Sequence, residues 1–254
     1  KGVHIRRLGA PGLGKKSTLS RIIDYAGFHL LCGLWMLLFA WRYRVIVTLT
    51  TPPLIGMYAT LIRRLSFGRV RHVTWVMDLH PDCEFELGIW SRRNPLFALL
   101  GWLNDSHFRH AHCNVALGPA MKSRLADKHI PTERIKVIGV WAPADAIEPK
   151  PMDEAPLRKQ FDLEDQFIVM YSGNAGLIHS FDAIQKTMLT LRDDPKIRFV
   201  FVGSGKRLNE LSQFVREHQL GNFLHLSYFP REQLSDSLAM GHVHLVTLRA
   251  GMAG

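Results

Sequence analysis

The sequence predicts an α/β fold made of two doubly wound, Rossmann-like domains. From Arg44 onward, short β-branched runs alternate with longer helical patterns, and this alternation is typical of a parallel sheet with crossover helices. The predicted strands are continuously apolar, which indicates that both faces of each sheet are covered. A stretch rich in proline and acidic residues, 142–156, interrupts the alternation and indicates a linker between the domains.

The first half of the chain supplies the elements of one domain, which we assign to residues 1–145. The predicted strands are 45–50, 72–79, 113–118 and 134–139. The predicted helices are 54–65, 94–111 and 119–129. The second of these helices opens with Asn-Pro, a typical start signal.

The alternation resumes after the linker, which we place at residues 146–160, and it defines a second domain at 161–254. The helical pattern "PLRKQFDL" comes first. The predicted strands are then 166–173, 197–205, 223–229 and 242–248, with helices at about 179–192, 206–219 and 231–240. We expect both domains to be incomplete within these 254 residues.

Composition narrows the class of partner. The net charge of +10 and the pI near 9.8 favour an anionic partner, such as nucleic acid, a membrane surface or a phosphorylated substrate. No nucleic-acid-binding motif accompanies the charge, so we expect no nucleic-acid partner. The three cysteines form no C-x-x-C pair, which is typical of a reducing compartment.

One apolar run, Tyr25 to Trp41, has three interpretations. It is shorter than the roughly 20 apolar residues that a spanning helix needs. A buried or half-buried helix and a helix lying on the bilayer both fit it, and a true span fits less well. The basic flanks Arg21, Arg42 and Arg44, together with Trp and Tyr, favour an interfacial position. We expect residues 21–44 to contact an anionic membrane surface.

The stretch "GAPGLGKKS", Gly9 to Ser17, is close to a phosphate-binding P-loop. That motif needs Ser or Thr directly after its lysine and a hydrophobic strand before it. Lys16 occupies the hydroxyl position and the preceding "VHIRRL" is short and basic. We therefore interpret the stretch as a flexible basic loop, and a P-loop NTPase as the weaker alternative.

Ligands of open α/β sheets bind at the carboxyl ends of the strands. In the second half, Gly173 and Gly176 follow one predicted strand, and Gly203, Gly205 and Lys206 follow the next. Glycine lets a phosphate approach backbone N–H groups, and the start of the following helix favours negative charge. Ordinary tight turns explain either glycine pair equally well.

In the first half, the strand end "DLHPD" carries Asp78, His80 and Asp82 at alternate positions. A cleft role for Asp78 and His80, structural capping, and a metal triad are all compatible with this spacing. Facing domains would place this acid/base cluster opposite the glycine loops, an arrangement suited to group transfer. The further histidines His107, His110 and His112 are interpreted as surface or helix-end residues rather than a zinc site.

Three blocks of the second half resemble the donor-binding domain of bacterial family 4 glycosyltransferases. They are "FIVMYSGNAGLIHSFDAI", "IRFVFVGSGKRLNEL" and "LHLSYFPREQLSDSLAMGHVHLVTL". In the first half, "YRVIVTLTTPPLIG" and "TWVMDLHPD" resemble acceptor-domain signatures of the branch that builds exopolysaccharide and O-antigen. The likeness runs from about residue 18 to the end.

The resemblance implies the two-domain GT-B architecture and a retaining transfer that uses no cofactor and no metal ion. A sugar would pass from a nucleotide-sugar donor to an acceptor, often lipid-linked, in the cytoplasm at the inner membrane. The first βα unit and a donor loop with paired glutamates would lie outside residues 1–254, which would make the fragment itself inactive. A sugar-nucleotide epimerase of the same fold and a non-catalytic, membrane-associated scaffold are the alternatives.

Site residues follow from the resemblance position by position. Gly173 matches the glycine of the first donor loop, with Gly176, Gly203, Gly205 and Lys206 as further donor contacts. Where many members carry arginine and lysine on the diphosphate, this chain has Asn174 and His179, neither a permanent cation. Lys206 or Arg249 would share the neutralisation of the leaving diphosphate. Asp78 and His80 would face the reacting sugar, with His80 near the donor.

Overall fold

The computed structural model describes residues 2–9, 12–14, 17–142 and 147–252, and it divides into two compact units. The first unit ends at Val140 and the second begins at Trp141. Each unit contains one parallel sheet, so the predicted fold class is confirmed. Lys15, Lys16, the side chain of Arg21, and residues 143–146 and 253–254 lie outside the described part of the chain.

The sheet of the first unit has its strands in chain order, and all of its pairs are parallel. The strands are β1 Val45–Leu49, β2 Arg71–Trp75, β3 Cys113–Ala116 and β4 Ile135–Val137. The helices are α1 Thr18–Phe39, α2 Gly56–Leu65, α3 Asp82–Glu86, α4 Pro95–His110 and α5 Pro119–Asp127. The core beside the sheet is built from Phe108 of α4 and Leu125 of α5, both fully buried against Ala116 and Ile135.

Helix α1 packs with one face only. Ser17 caps its first turn through a capping box. Gly33 allows α2 to approach, because a Cβ there would lie 2.6 Å from the Tyr58 ring. Met36 is buried, but the leucines at 30, 31, 34 and 38 are 44–68% exposed. Within the described residues, the helical segment Ile22–Arg42 is long and apolar enough to cross a membrane by length and composition.

Two histidines are buried beneath this sheet. His72 of β2 is fully buried, and its ring lies within hydrogen-bonding distance of the hydroxyls of Thr48, Thr60 and Thr74. Burial, and secondarily the charge of Arg63, lowers the pKa of His72 to about 4. The His107 ring lies 6.3 Å away. Both rings are therefore neutral at pH 7.

His107 corrects one prediction. It lies in the last turn of α4, as expected, but only 3% of it is exposed. Burial, and then the charge of His72, lowers the pKa of His107 to about 3, so its neutral ring cannot complement the helix dipole. The burial of His107 could not be predicted from the sequence, because it comes from a tertiary contact. The ring packs against Gly56 of α2, where a Cβ would lie 2.5 Å from the ring.

The strand predicted at 72–79 ends at Trp75. The hydroxyl of Thr50, which follows β1, accepts hydrogen bonds from the N–H groups of Met77 and Asp78 at 3.1 and 3.0 Å. This contact turns the chain out of the strand, so Asp78 and His80 lie in a loop at the carboxyl edge of the sheet. The predicted strand at 72–79 is therefore too long, and Asp78, His80 and Asp82 do not share one face of an extended strand.

The sheet of the second unit has the order β7-β6-β5-β8, with parallel pairing throughout. The strands are β5 Phe167–Asn174, β6 Ile197–Ser204, β7 Phe223–Leu226 and β8 Val243–His244. The helices are α6 Pro156–Gln160, α7 Asp182–Thr190, α8 Lys206–Glu217 and α9 Leu234–Leu238. Phe199 and Phe201 of β6, with Leu208 and Leu211 of α8, form one of its cores.

Helix α6 falls within the range predicted as a linker, and it packs on the second unit. Leu157 is buried in a core cluster with Ile168 and Val200. The Arg158 side chain is 6% exposed, and its guanidinium donates to four main-chain carbonyls, those of residues 163, 164, 166 and 240, at 2.8–3.1 Å. These bonds replace the hydration that a buried charge loses, and they tie α6 to β5 and α9.

The lowered pKa of His72 predicts a pH-dependent stability of the first unit. Between pH 6.5 and about 4 the unfolded chain binds a proton at His72 that the folded chain does not. Stability should therefore be complete above pH 6.5 and fall with decreasing pH, by about 3 kcal/mol from this residue. Urea unfolding at pH 7.5 to 4.5 by tryptophan fluorescence measures this, because five of the six tryptophans precede Trp141.

His72→Gln keeps hydrogen-bonding groups but removes the titration, so its stability should depend less on pH than that of the parent protein. His110→Gln is the control, because Nδ1 of His110 bonds only within α4, to the Ser106 carbonyl and hydroxyl. An unchanged pH slope in His72→Gln would contradict the assignment.

Candidate functional site

The order of the second sheet identifies its ligand-binding edge. From β5 the chain proceeds outward through β6 and β7, and then crosses back to place β8 on the other side of β5. Such a reversal leaves a crevice at the carboxyl ends of the two strands that flank it. Asn174 ends β5, and residues 174–179 and 245–249 leave the sheet at this point.

The ends of β5 and β6 touch through their backbones. Gly173 pairs with Gly203 and Asn174 with Ser204. A Cβ on Gly203 would lie 2.2 Å from the Gly173 carbonyl oxygen, and one on Gly205 would lie 2.4 Å from the Ala175 carbonyl oxygen. Both glycines have φ near +134°, a region that favours glycine. The approach of the two strand ends therefore accounts for Gly203 and Gly205 without a ligand.

Gly176 differs from these glycines, because no described atom lies within 4 Å of the position of its Cβ. Asn174, Ser204 and Lys206 beside it are exposed. Lys206 is the first residue of α8, whose amino end carries partial positive charge. The N–H of Gly176 donates to the Asn174 carbonyl at 2.9 Å. The exposed side chains of Asn174 and Lys206 are therefore the donors at this edge, and an amide and an ammonium group suit an anion.

His179 lies on the β8 side of the crevice. Its Nδ1 donates to the Thr247 carbonyl at 2.8 Å, and its ring packs edge-on against Tyr171. The N–H of Arg249 donates to the Ile178 carbonyl at 2.8 Å, so the chain after β8 is bound to the loop after β5. Because Nδ1 carries the proton of the neutral ring, Nε2 donates to an anion only when His179 is protonated.

The loop after β2 contains a second polar cluster, in the first unit. Asp78 is exposed, and His80 Nδ1 donates to Glu84 Oε1 at 2.7 Å. The hydrogen bond to Glu84 raises the pKa of His80, against the effect of burial, and the charges of Glu84 and Asp78 add to the rise. The Asn104 side chain donates to the His80 carbonyl and holds the loop against α4.

Glu84 was not identified from the sequence. Burial alone would raise the pKa of its carboxyl, but the hydrogen bond and charge of His80 outweigh burial and lower it. Its second oxygen, Oε2, is buried and has no hydrogen-bond partner among the described residues. The one sequence feature that indicates its pairing with His80 is the i+4 spacing of the two residues. That spacing becomes informative only once α3 is known to be helical.

Asp82 does not join Asp78 and His80. Its carboxylate contacts Lys128 Nζ at 2.7 Å, and Lys128 also contacts Asp105 at 2.9 Å. Lys128 therefore holds α3 and α4 together through both carboxylates. Among the described residues there is no group of three potential metal ligands.

The glycine-rich loop contacts a carboxylate of its own chain. The N–H groups of Leu13 and Gly14 donate to the two oxygens of Asp24 at 3.0 and 2.9 Å. The described residues 2–9 before the loop form no strand, which the P-loop motif requires. These two backbone donors are therefore occupied by an anion within the fold.

Comparison with known proteins identifies the family. Residues 1–141 match the model of the glycosyl transferase 4-like domain. The chain belongs to this family. The resemblance noted in the sequence is thereby confirmed, and the match covers the unit that contains Asp78 and His80.

Relatives with solved structures share the fold. A structure of Anabaena Alr3699/HepE in complex with UDP has a TM-score of 0.66 and 15% identity, covering 90% of this chain and 58% of that chain. Sucrose-phosphate synthase from Thermosynechococcus elongatus has a TM-score of 0.63 and 15% identity, covering 94% and 58%. These similarities show that both units have the fold of GT-B glycosyltransferases.

A curated relative, the putative colanic acid biosynthesis glycosyl transferase WcaI of Escherichia coli (strain K12), is 27% identical over 256 residues. The alignment covers 93% of this chain and 59% of the relative. The chain thus spans a little over half the length of the proteins it matches.

The glycine contacts predict a sharp difference between two alanine substitutions. Gly203→Ala should destabilise the second unit by roughly 3 kcal/mol or more, because the new methyl group clashes with backbone at a positive φ. Gly176→Ala should change stability by less than about 0.5 kcal/mol, because its surroundings are open. Hydrogen exchange of β5 and β6 amides reports both effects, and equal protection in the two variants would contradict this account.

Proposed function

We propose that the protein is a retaining glycosyltransferase that moves a sugar from a nucleotide-sugar donor to a lipid-linked acceptor in cell-surface polysaccharide synthesis. The observation that supports it best is the β5/β8 reversal, at which Asn174 and Lys206 are exposed and the Cβ position of Gly176 is open, in a chain of the glycosyl transferase 4-like family. The name of the curated relative, a colanic acid glycosyl transferase, supports the polysaccharide pathway.

The donor binds through its diphosphate at this crevice. Negative charge develops on the leaving diphosphate, and fixed positive groups stabilise it. Lys206 and the amino end of α8 supply this charge on the β6 side. Arg249 supplies it on the β8 side, beside His179. Transfer then needs no metal ion, and turnover should be unaffected by EDTA. UDP is the first nucleotide to test, because solved relatives bind UDP and UDP-glucose.

His80 and Asp78 act on the reacting sugar. The hydrogen bond to Glu84 keeps the proton of His80 on Nδ1 and fixes the ring, which leaves Nε2 for a sugar hydroxyl. Asp78 is held in place by the Thr50 hydroxyl. This loop therefore presents one oriented imidazole and one exposed carboxylate.

The protein associates with the cytoplasmic face of the inner membrane through residues 21–44. The exposed leucines of α1 form an apolar face, and the exposed Arg42 and Arg44 follow directly after it. An apolar helix face next to cations suits the interface of an anionic bilayer. This places the acceptor domain where lipid-linked sugars occur.

Calorimetric titration with UDP, GDP and ADP tests the donor site. Lys206→Ala should weaken binding of the preferred nucleotide roughly tenfold, the effect of losing about 1.4 kcal/mol of charge-assisted bonding. Lys196→Ala is the matched control, because Lys196 is exposed and precedes β6 at the opposite edge of the same sheet. Absence of binding by every nucleoside diphosphate would exclude the proposed donor site.

Substitution of His80 tests whether the two units have separate roles. His80→Gln should leave the affinity for the nucleoside diphosphate within about twofold, because His80 does not belong to the unit that holds the diphosphate. In a chain that also carries the donor loop with paired glutamates, His80→Gln should lower the rate of sugar transfer at saturating donor, with product analysis reporting the anomeric configuration. Isomerised donor without acceptor would instead support an epimerase, and an inverted product would exclude the retaining mechanism.

Vesicle flotation tests the membrane surface. The protein should float with vesicles containing phosphatidylglycerol more than with phosphatidylcholine alone, and less at high salt, because the charge attraction is screened. Leu34→Glu with Leu38→Glu should reduce flotation severalfold. Val246→Glu, at a 90% exposed position of the second unit, is the control. Equal loss in the control, or no flotation of the parent protein, would contradict the proposal.

A further inference from the structure

The turn that joins α2 to β2 holds an aromatic side chain away from the fold. Phe67 is 97% exposed and has a φ of +52°, a backbone conformation that is rare for a bulky residue. Its N–H donates to the Arg64 carbonyl at 3.0 Å, and the Gly68 N–H donates to the Arg63 carbonyl at 2.9 Å. These two bonds form a Schellman motif. The turn is therefore closed by main-chain groups and does not depend on the phenyl ring.

Two other helix ends with this motif, those of α6 and α8, show what the fold itself requires. In each, a polar residue with positive φ is exposed, and the apolar residue after it is buried, which is the usual arrangement. At the end of α2 the aromatic residue takes the exposed position, and glycine follows it. Packing and backbone geometry therefore do not account for Phe67. The residue pairs at the ends of α6 and α8 are Asp162–Leu163 and Gln219–Leu220.

A cluster of arginines accompanies the turn. Between Asp24 and Asp78 the sequence contains no acidic residue and six arginines. The Arg71 N–H donates to the Arg44 carbonyl at 2.9 Å, so arginines from two segments lie next to each other. In the part of the first unit that the structure describes, no ion pair involves any of the six. Their charge is therefore not compensated locally. The six are Arg42, Arg44, Arg63, Arg64, Arg69 and Arg71.

The turn continues the exposed apolar face of α1. Val70 packs with Met36 and Ala40 of α1 in one core cluster, so the turn lies beside the end of that helix. Exposed tryptophan and tyrosine next to arginine favour a membrane–water interface. A second copy of the chain would bring arginines against arginines, whereas an anionic bilayer matches their charge. The exposed side chains at this end of α1 are Leu38, Trp41 and Tyr43.

We propose that the α2–β2 turn, residues 66–71, inserts Phe67 into the interface of an anionic phospholipid membrane, where the neighbouring arginines bind lipid phosphates. This rests on the proposed membrane association of residues 21–44 and adds a second contact on a different element. Burial of the phenyl ring supplies affinity, and guanidinium groups pair with phosphate oxygens. Two contacts fix the orientation of the first unit on the bilayer, whereas one helix leaves rotation about its own axis free.

Phe67→Gly tests the insertion, because stability and membrane binding should respond in opposite directions. Glycine relieves the positive φ, so the thermal midpoint should match or exceed that of the parent protein. Flotation with vesicles containing phosphatidylglycerol should fall roughly threefold or more, because the inserted ring is lost. Phe67→Trp should float at least as well as the parent protein, because tryptophan favours the interface. A lower midpoint for Phe67→Gly with unchanged flotation would show a structural role and overturn the proposal.

The matched control is Gln219→Gly, which makes the same substitution at the same position of the motif, at the end of α8 in the second unit. Its flotation should equal that of the parent protein. Charge has its own control. Arg64→Gln with Arg69→Gln should reduce flotation severalfold at low salt, and Arg192→Gln with Arg216→Gln, which removes the same charge from the second unit, should reduce it less. Equal losses in test and control variants would overturn the proposal.

The remaining outcomes separate this turn from the other proposals. Loss of flotation in Leu34→Glu with Leu38→Glu, but not in Phe67→Gly, would overturn the insertion and leave the α1 surface standing. A parent protein that does not float would overturn both membrane contacts, while titration of the same samples with UDP reports on the donor site independently. A dimer in sedimentation that Phe67→Gly disperses, without flotation, would show that a second copy covers the turn and overturn the membrane assignment.

Discussion

The second unit depends on the close approach of two strand ends. Where β5 and β6 leave the sheet, backbone packs directly on backbone, and only glycine fits at Gly203 and Gly205. This contact brings Asn174 beside Ser204 and starts α8 next to the end of β5. The amide of Asn174 and the ammonium group of Lys206 consequently share one edge. The glycines thus build the site indirectly, by letting the walls of the crevice form.

In the first unit a side chain, rather than a close contact between backbones, positions the residues that follow a strand. The Thr50 hydroxyl accepts from two consecutive N–H groups after β2, and this ends the strand and places the loop that carries His80. Glu84 then orients the imidazole from the following short helix. In both units the candidate site residues lie just past a strand end and are positioned by hydrogen bonds or contacts from the neighbouring strand.

Several charged groups, among them the candidate metal ligand Asp82, stabilise the fold. Asp82 and Asp105 share Lys128, Asp24 accepts the N–H groups of the glycine-rich loop, and Arg158 is saturated by carbonyls. Some apolar side chains, in contrast, are not used in the core. Leucines of α1 remain exposed in a chain with ample core material. An exposed apolar face of this kind marks an interaction surface.

The sequence by itself determined the fold class, the alternation of strands and helices apart from the short helix α3, and the family. Each depends on local periodicity and on motif order, which the chain carries without reference to tertiary contacts. The glycines at the ends of β5 and β6 were also recognisable, but the physical reason that glycine is required there was not. Sequence shows that a position is glycine, whereas the atom that would meet its Cβ, the Gly173 carbonyl, is known only once the strands pair.

Tertiary structure alone decided which polar residues act together. Asp82 and Glu84 are two residues apart in "DCE", yet one pairs with Lys128 of a distant segment and the other with His80. His107 and His110 are three residues apart on α4, yet one is buried beside His72 and the other bonds within its helix. Burial and pairing depend on what the neighbouring elements place against a side chain, and a one-dimensional pattern does not contain that information.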